Sequence, residues 1–188
     1  MLEEQVIGQR RFSDRVCISD PCYERGTWCS VWDLDIKEGS YECRTIVGEK
    51  PEWGRRVWRL TTAHEDEKVT KWMFETSLGV DAAMMSIICT NHYDDDRQDA
   101  LGDYRSKAGQ TRRGFYSNTG LGDGSYPLFC GYNDKEEIVA LSVVFIYPDG
   151  VEESVADEDG MYSFANEETI ETLTKYAHCS VEQYIPTK

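Results

Sequence analysis

Residues 114–146 read GFYSNTGLGDGSYPLFCGYNDKEEIVALSVVFI and carry the clearest fold signal in the chain. Three runs here, Gly114–Thr119, Ser125–Tyr132 and Ile138–Tyr147, are rich in Phe, Tyr, Val and Ile. Aromatic and β-branched side chains fit a pleated, half-buried surface. The composition therefore predicts three β-strands.

The segments between these runs have the composition of turns. Gly120–Gly124 contains three glycines, and Asn133–Glu137 begins with Asn-Asp. Short connections of this kind join antiparallel neighbours, so we predict a three-stranded antiparallel unit. The last run is almost continuously apolar from Ile138 to Ile146, which predicts an interior strand buried on both faces.

A second hairpin is predicted upstream. Trp28–Ile36 and Tyr41–Val47 both alternate apolar and polar residues with period two, and residues 37–40 have turn composition. The alternation places Trp28 and Trp32 in a stripe that we expect to lie in the core rather than to serve as a stacking platform.

The remaining segments predict short elements. Strands are expected at Val16–Ile18, Val57–His64 and Met84–Thr90. Residues 1–15 are polar and predict a lead-in that is partly strand at most. The other predictions are a short helix or irregular connection at Glu65–Phe74, a weak helical face within Asp94–Lys107, and a helix from a capping Asn166 through Tyr176.

Together these patterns predict a mainly β (α+β) fold: an antiparallel sheet or β-sandwich with one or two short helices. The 188 residues suit a single domain with a core large enough to fold without disulfides. We expect a motif-bearing core at about residues 16–147 and a C-terminal hairpin or helix extension at 148–188.

The composition is strongly acidic, with 35 Asp and Glu against 20 Lys and Arg and a net charge of −15. Such a surface repels nucleic acids and anionic membranes at long range, so we expect neither as a partner. The favoured interpretation is a solvated surface that keeps the protein soluble, and the alternative is an acidic face for a basic partner. A net charge of this size still permits a local basic pocket for a small anion.

Seven cysteines, an odd number with several inside apolar runs, predict reduced thiols in a cytoplasm. Cys17, Cys22 and Cys29 lack the repeated CxxC spacing of a structural zinc site, and we expect no metal or cofactor. The sequence has no signal-peptide pattern, and its longest apolar run, Ala82–Cys89, is too short to span a bilayer.

Three motifs resemble a family of bacterial and phage proteins known as a domain of unknown function. They are ISDPCY (18–23) with GTWC (26–29), GVDA (79–82) and GLGDGSYP (120–127). The resemblance implies a shared fold, a bacterial or phage origin and, for a phage protein, a host cytoplasm; it implies no reaction. Residues 82–84 are Ala-Ala-Met where the family pattern has small polar residues, so a family site there is altered in this chain.

The same motifs contain the candidate site. Asp20 precedes Pro21, Asp123 lies between two glycines, and Asp81 follows Gly79 by two residues, each near a predicted strand end. We expect their loops to line one polar pocket with the Gly120–Gly124 backbone as a wall. Carboxylates gathered there require an Arg, a Lys, a metal or a bound proton. Alternatively, these Asp residues are turn caps that bond their own backbone. The candidate ligand-binding residues are Asp20, Cys22, Tyr23, Asp81, Gly122, Asp123, Gly124 and Tyr126.

Two functions fit these features. The favoured one is a non-enzymatic binding protein that captures a small molecule or a host protein, as phage proteins that counter host defence do, because the sequence lacks a nucleophile–base motif. The alternative is a hydrolase or another small enzyme that uses the Asp residues, with or without a metal.

Overall fold

A computed structural model of the protein describes residues 1–27, 31–103, 105–147 and 167–184. Its strands are β1 (Leu2–Phe12), β2 (Arg15–Ser19), β3 (Val31–Asp35), β4 (Gly39–Lys50), β5 (Gly54–His64), β6 (Lys71–Val80), β7 (Met84–Cys89), β8 (Ala108–Gln110), β9 (Gly114–Asn118), β10 (Gly124–Tyr132) and β11 (Ile138–Val144). Its helices are α1 (Tyr93–Gly102), which follows a 3-10 turn, α2 (Glu167–His178) and α3 (Val181–Tyr184). None of the helices in these ranges is both long and apolar enough to cross a membrane.

The strands form two antiparallel sheets. The larger sheet has the order β1-β4-β5-β11-β10-β6, and the smaller sheet has the order β3-β2-β7-β9-β8. One apolar cluster joins the two sheets, with Val16, Ile87 and Phe115 from the smaller sheet and Leu60 and Leu128 from the larger one. The predicted mainly β fold is confirmed, and its architecture is sandwich-like.

Helices cover the outer faces of both sheets. Helix α1 packs on the smaller sheet, where Tyr93 clusters with Cys17 and Ile88 and Ala100 with Met84 and Tyr116. Every residue of β7 is therefore buried, which accounts for its continuous apolar run. The C-terminal helices pack on the larger sheet, and their own residues Leu173, Ala177 and Tyr184 are buried in this contact.

The prediction for β11 is confirmed. It is an interior strand between β5 and β10, and residues 133–137 join it to β10 in an antiparallel hairpin. The prediction that the preceding strand belongs to the same unit is wrong. Strand β9 pairs with β7 and β8 in the smaller sheet, so the glycine-rich loop crosses between sheets instead of closing a hairpin. Turn composition shows that the chain reverses, but not which sheet it enters.

The predicted upstream hairpin is also wrong. Strand β3 pairs with β2 in the smaller sheet, whereas β4 pairs with β1 and β5 in the larger one. The period-two pattern is the same for any strand with one buried face, so it does not identify the pairing partner. Trp28 and the side chain of Trp32 lie outside the described residues.

Two further segments differ from expectation. Residues 71–74 belong to β6, not to a helix or an irregular connection, and the polar lead-in forms the eleven-residue strand β1. Both are edge strands whose exposed residues make the sequence pattern weak. The helix predicted through Tyr176 is confirmed as α2, and its predicted capping residue, Asn166, lies outside the described residues.

None of the described cysteines forms a disulfide; they are Cys17, Cys22, Cys43, Cys89, Cys130 and Cys179. Burial raises the pKa of the Cys43 thiol and that of the Cys130 thiol, so both remain protonated at neutral pH.

A polar network closes the β10–β11 hairpin. The Lys37 ammonium lies 2.9 Å from the Glu137 carboxylate and 3.4 Å from that of Glu67. The buried Asn133 amide donates to both carboxylates, at 2.8 and 3.1 Å. Hydrogen bonds from Lys37 and Asn133 lower the pKa of the Glu137 carboxyl. Hydrogen bonds from Asn133 and Lys37 also lower the pKa of the Glu67 carboxyl. The hydrogen bond to Glu137 raises the pKa of the Lys37 ammonium.

These pKa shifts predict a loss of stability in acid. Because the carboxyl pKa values are lower in the folded protein, their contribution is complete at neutral pH and is lost as the pH falls below about 4.5 through the folded values. Glu137→Gln should lower the urea midpoint at pH 7, and this difference from the wild type should shrink by pH 3. Glu136→Gln is the control, since Glu136 is exposed and 3.9 Å from Lys71. A difference that persists unchanged at pH 3 would exclude the ionised network as its source.

Candidate functional site

The three predicted loops meet at one end of the sandwich, where the chain crosses between the sheets twice. Residues 81–83 lead from β6 to β7, and residues 119–123 lead from β9 to β10. Strand β6 pairs with β10 up to Val80 and Gly124, and β7 pairs with β9 up to Met84 and Asn118. The two crossings must therefore run side by side.

Asp20 anchors the first crossing from the end of β2. Its side chain is 0 % exposed, and its Oδ2 accepts the backbone N–H groups of Asp81 at 2.9 Å and Ala82 at 2.6 Å. Its Oδ1 accepts the N–H of Cys22 at 2.9 Å, as a turn-capping Asp does. The carboxylate is therefore saturated by the backbone of two loops.

Asp123 holds the same crossing from the other side. Its Oδ1 accepts the N–H of Ala83 at 3.0 Å, and the Ala83 carbonyl accepts the N–H of Thr119 at 3.0 Å. Ala83 has a φ of 54°, a left-handed conformation that is unfavourable for a residue with a side chain. The two carboxylates and Thr119 keep this strained residue in place.

Two side-chain hydroxyl groups hold the glycine-rich loop in position. The Tyr126 hydroxyl donates to the Gly122 carbonyl at 2.8 Å, and the Thr119 hydroxyl donates to the same oxygen at 2.5 Å. Gly120 has a φ of 72°, and a Cβ there would lie 2.1 Å from the Val57 carbonyl oxygen. Only glycine therefore lets the loop pack directly on β5.

The loop after Asp20 is anchored by Tyr93. Its hydroxyl lies 2.6 Å from the Ser19 hydroxyl and donates to the Tyr23 carbonyl at 2.9 Å. Burial raises the pKa of Tyr93, which keeps this donor neutral. Tyr23 and Cys22 are half-buried beside the anchor, and their ligand-binding role stays a prediction.

A cavity of about 340 Å³ lies against the glycine-rich loop, and we call it the basic pocket. Residues 120–122 and Ala83 form one wall. The charged side chains in the lining are all basic, and the full lining consists of Trp53, Arg55, Arg56, Ala83, Lys107, Asn118, Gly120, Leu121 and Gly122. The loop thus forms a wall of this cavity, whereas Asp20, Asp81 and Asp123 are not among the lining residues, so the predicted pocket lined by their loops stays a prediction.

The cations of the basic pocket are held close together by the β5 backbone. The Arg55 carbonyl accepts hydrogen bonds from the Lys107 ammonium at 3.3 Å and from the Arg56 guanidinium at 3.4 Å. Arg55 also forms an ion pair with Glu3. That pair offsets part of the Arg55 charge and leaves Arg56 and Lys107 as the principal cations of the pocket.

This arrangement separates the roles of the predicted residues. Gly122 lines the basic pocket, whereas Asp20, Asp123 and Tyr126 support its wall through backbone hydrogen bonds. The Asp81 carboxylate is exposed, and Gly124 begins β10. Within the described ranges, no group of three or more His, Cys, Asp or Glu side chains is placed to hold a metal ion.

Sequence reasoning missed the basic side chains of the site. The segment Trp53-Gly54-Arg55-Arg56 is an aromatic and basic cluster in a very acidic chain, and it is the signal that could have found them. Lys107 had no comparable signal, because it lies in a polar segment far from the others in sequence.

Comparisons with protein-family models, with curated proteins and with solved structures found no match for this chain. The resemblance to a bacterial and phage family therefore rests on the sequence motifs alone, and the site must be interpreted from its own residues.

Proposed function

We propose that this protein is a non-enzymatic binding protein that captures a small anionic molecule in the basic pocket. One observation carries the proposal: Arg55, Arg56 and Lys107 gather around a cavity of about 340 Å³ in a chain whose net charge is −15. An acidic protein that concentrates cations in a concave site creates a local potential opposite to that of its remaining surface.

The cavity wall suits an anion for a second reason. Gly122 has a φ of 105°, and a Cβ added to it would have no other atom within 4 Å, so a ligand can approach this backbone closely. Guanidinium and ammonium donors form charge-assisted hydrogen bonds with phosphate or carboxylate oxygens. The volume is at the lower end of the range for small-molecule sites, which favours a small molecule over a host protein as the captured partner.

The structure lends less support to an enzyme that uses the three Asp residues. The Asp20 carboxylate is buried and accepts three backbone N–H groups, and Asp123 accepts a fourth. A carboxylate engaged in this way is poorly placed to exchange protons with a substrate. The exposed Asp81 alone provides no acid–base pair.

The biological setting completes the proposal. Buried free thiols fit a reducing cytoplasm, and the motif resemblance suggests a bacterial or phage origin. Within a phage-infected host, capture without turnover would withhold a small anion from the host, which is a counter-defence function.

Arg56→Gln tests the proposed site. Titration calorimetry with inorganic pyrophosphate in 50 mM NaCl should show binding to the wild type and about tenfold weaker binding to the variant, because one charge-assisted contact is lost. Higher salt should weaken both affinities by screening the exposed cations. Arg112→Gln is the matched control, since Arg112 is exposed at the opposite end of the β8–β9 hairpin from Lys107 and Asn118.

Two results would contradict the proposal. The first is a wild-type protein that does not bind pyrophosphate at millimolar concentration in low salt. The second is an equal loss of affinity in Arg56→Gln and Arg112→Gln, which would indicate attraction to the surface in general.

A further inference from the structure

Trp53 stands out in the basic pocket because it is a large apolar residue that is 51 % exposed. Trp53 lies in the β4–β5 turn, where its backbone N–H donates to the Lys50 carbonyl at 3.0 Å. The residues on both sides, Glu52 and Gly54, have φ values of 68° and 71°. The turn therefore keeps a large apolar side chain exposed to solvent, with a left-handed residue on each side of it. The left-handed conformation is unfavourable for Glu52, which has a side chain.

Trp53 adds an apolar surface to a pocket whose charged side chains are all cations. Arg56, Lys107 and the glycine-rich loop can bind a phosphate chain, whereas the indole offers a flat apolar face in the same cavity. Bases stack on aromatic side chains, and phosphates bind guanidinium groups and close backbone. The Asn118 amide, also in the lining, offers both a donor and an acceptor for a base or a sugar hydroxyl.

We infer that the molecule captured in the basic pocket is a mononucleotide, with its base stacked on Trp53 and its phosphates held by Arg56, Lys107 and residues 120–122. The inference rests on the proposed function and names its ligand class. A phosphate or pyrophosphate alone would leave the indole without a role. A nucleic acid polymer is opposed by the net charge of −15 that the protein carries.

The test compares nucleoside diphosphates with the inorganic ion that shares their charged part. ADP, GDP, CDP, UDP and pyrophosphate are titrated separately into the wild type, Trp53→Leu and Arg56→Gln. At least one nucleotide should bind the wild type more tightly than pyrophosphate does. Trp53→Leu should weaken that nucleotide by about 5- to 150-fold, the loss of one base–aromatic stack, and change pyrophosphate affinity less than about twofold.

The variants separate stacking from charge. Arg56→Gln should weaken nucleotide and pyrophosphate by a similar factor, and Trp53→Phe should restore part of the nucleotide affinity because a smaller ring still stacks. Equal urea midpoints for the wild type and Trp53→Leu would show that the variant is folded, as expected for an exposed side chain.

Each result has a distinct meaning. If no nucleotide binds more tightly than pyrophosphate, or if Trp53→Leu weakens both equally, the mononucleotide inference is overturned and the proposed anion capture stands. If neither pyrophosphate nor any nucleotide binds, both fail. If a ten-residue oligothymidylate binds more tightly than every mononucleotide and requires Trp53, the site is a nucleic acid surface and the inference is overturned.

Discussion

Asp20→Asn is expected to lower the free energy of unfolding by about 2–5 kcal/mol. The Asp20 carboxylate is fully buried and accepts the N–H groups of Cys22, Asp81 and Ala82. An Asn side chain has one acceptor oxygen, and its NH₂ group would face at least one of these donors. The substitution therefore removes charge-assisted hydrogen bonds and also leaves a buried N–H without an acceptor.

Urea unfolding followed by tryptophan fluorescence measures this effect, and two sister variants calibrate it. Asp81→Asn should change stability by less than about 0.5 kcal/mol, because the Asp81 side chain is exposed and only its backbone donates to Asp20. Asp123→Asn should lie between them, at about 0.5–1.5 kcal/mol, since one exposed hydrogen bond to Ala83 is affected. An Asp20→Asn variant as stable as Asp81→Asn would refute the anchoring role.

Tyr184→Ala is expected to lower the free energy of unfolding by about 3–5 kcal/mol, as for other large buried aromatic side chains. Tyr184 is fully buried, and its hydroxyl donates to the Ile146 carbonyl at 2.7 Å. Its ring packs edge-on against Trp58 at 6.0 Å and Tyr176 at 5.3 Å, and the Arg59 guanidinium lies 5.6 Å from its centroid. Burial raises the pKa of the hydroxyl, so the donor stays neutral.

The loss of stability in Tyr184→Ala should affect α2 as well as α3. Arg59 is buried and donates to the carbonyls of Tyr176 and Cys179 at 2.8 and 3.0 Å, which holds the C-terminal end of α2 on β5. Hydrogen exchange should therefore become faster at the α2 amides in Tyr184→Ala, in addition to the shift of the urea midpoint. Tyr184→Phe is the control and should lose only about 1 kcal/mol, the value of one hydrogen bond.

A small effect of Tyr184→Ala would have a specific meaning. If stability falls by less than about 1 kcal/mol and exchange in α2 is unchanged, residues 167–184 do not unfold cooperatively with the larger sheet. The helices would then be an appended segment and not part of the domain core.

The Asp20 and Asp81 results also bear on the site. In the sequence, the three Asp residues look alike, each in a turn-like segment near a predicted strand end, and they allow two interpretations: a ligand pocket or turn caps. The structure distinguishes them by burial and by what each carboxylate accepts. Asp20 and Asp123 hold the crossing that forms a wall of the basic pocket, so their effect on binding is expected to be indirect.

Several strands could be predicted because their information is local. The apolar runs of β7 and β11 and the Asn-Asp turn after β10 specify strand, burial and reversal within a few residues. The edge strands β1 and β6 could not be predicted with the same clarity, because an exposed edge tolerates polar residues that blur the pattern.

Strand pairing does not follow from these patterns. The alternation in β3 and β4 and the glycines between β9 and β10 are compatible with hairpins. In both cases, however, the first strand lies in the smaller sheet and the chain then enters the larger sheet. A period-two pattern specifies which face of a strand is buried, whereas the partner is selected by the packing of both sheets around one core.

The amino-acid sequence alone was sufficient for the fold class and for the interior position of β11, whereas the meeting of the Asp20, Asp81 and Asp123 loops was only a hypothesis at that level. Only the tertiary structure placed Trp53, Arg56 and Lys107 around the glycine-rich loop, because they come from the β4–β5 turn and from the start of the β8–β9 hairpin. The physical reason is that periodicity and turn chemistry act over a few neighbouring residues, whereas a pocket is formed by segments that meet only when the two sheets pack.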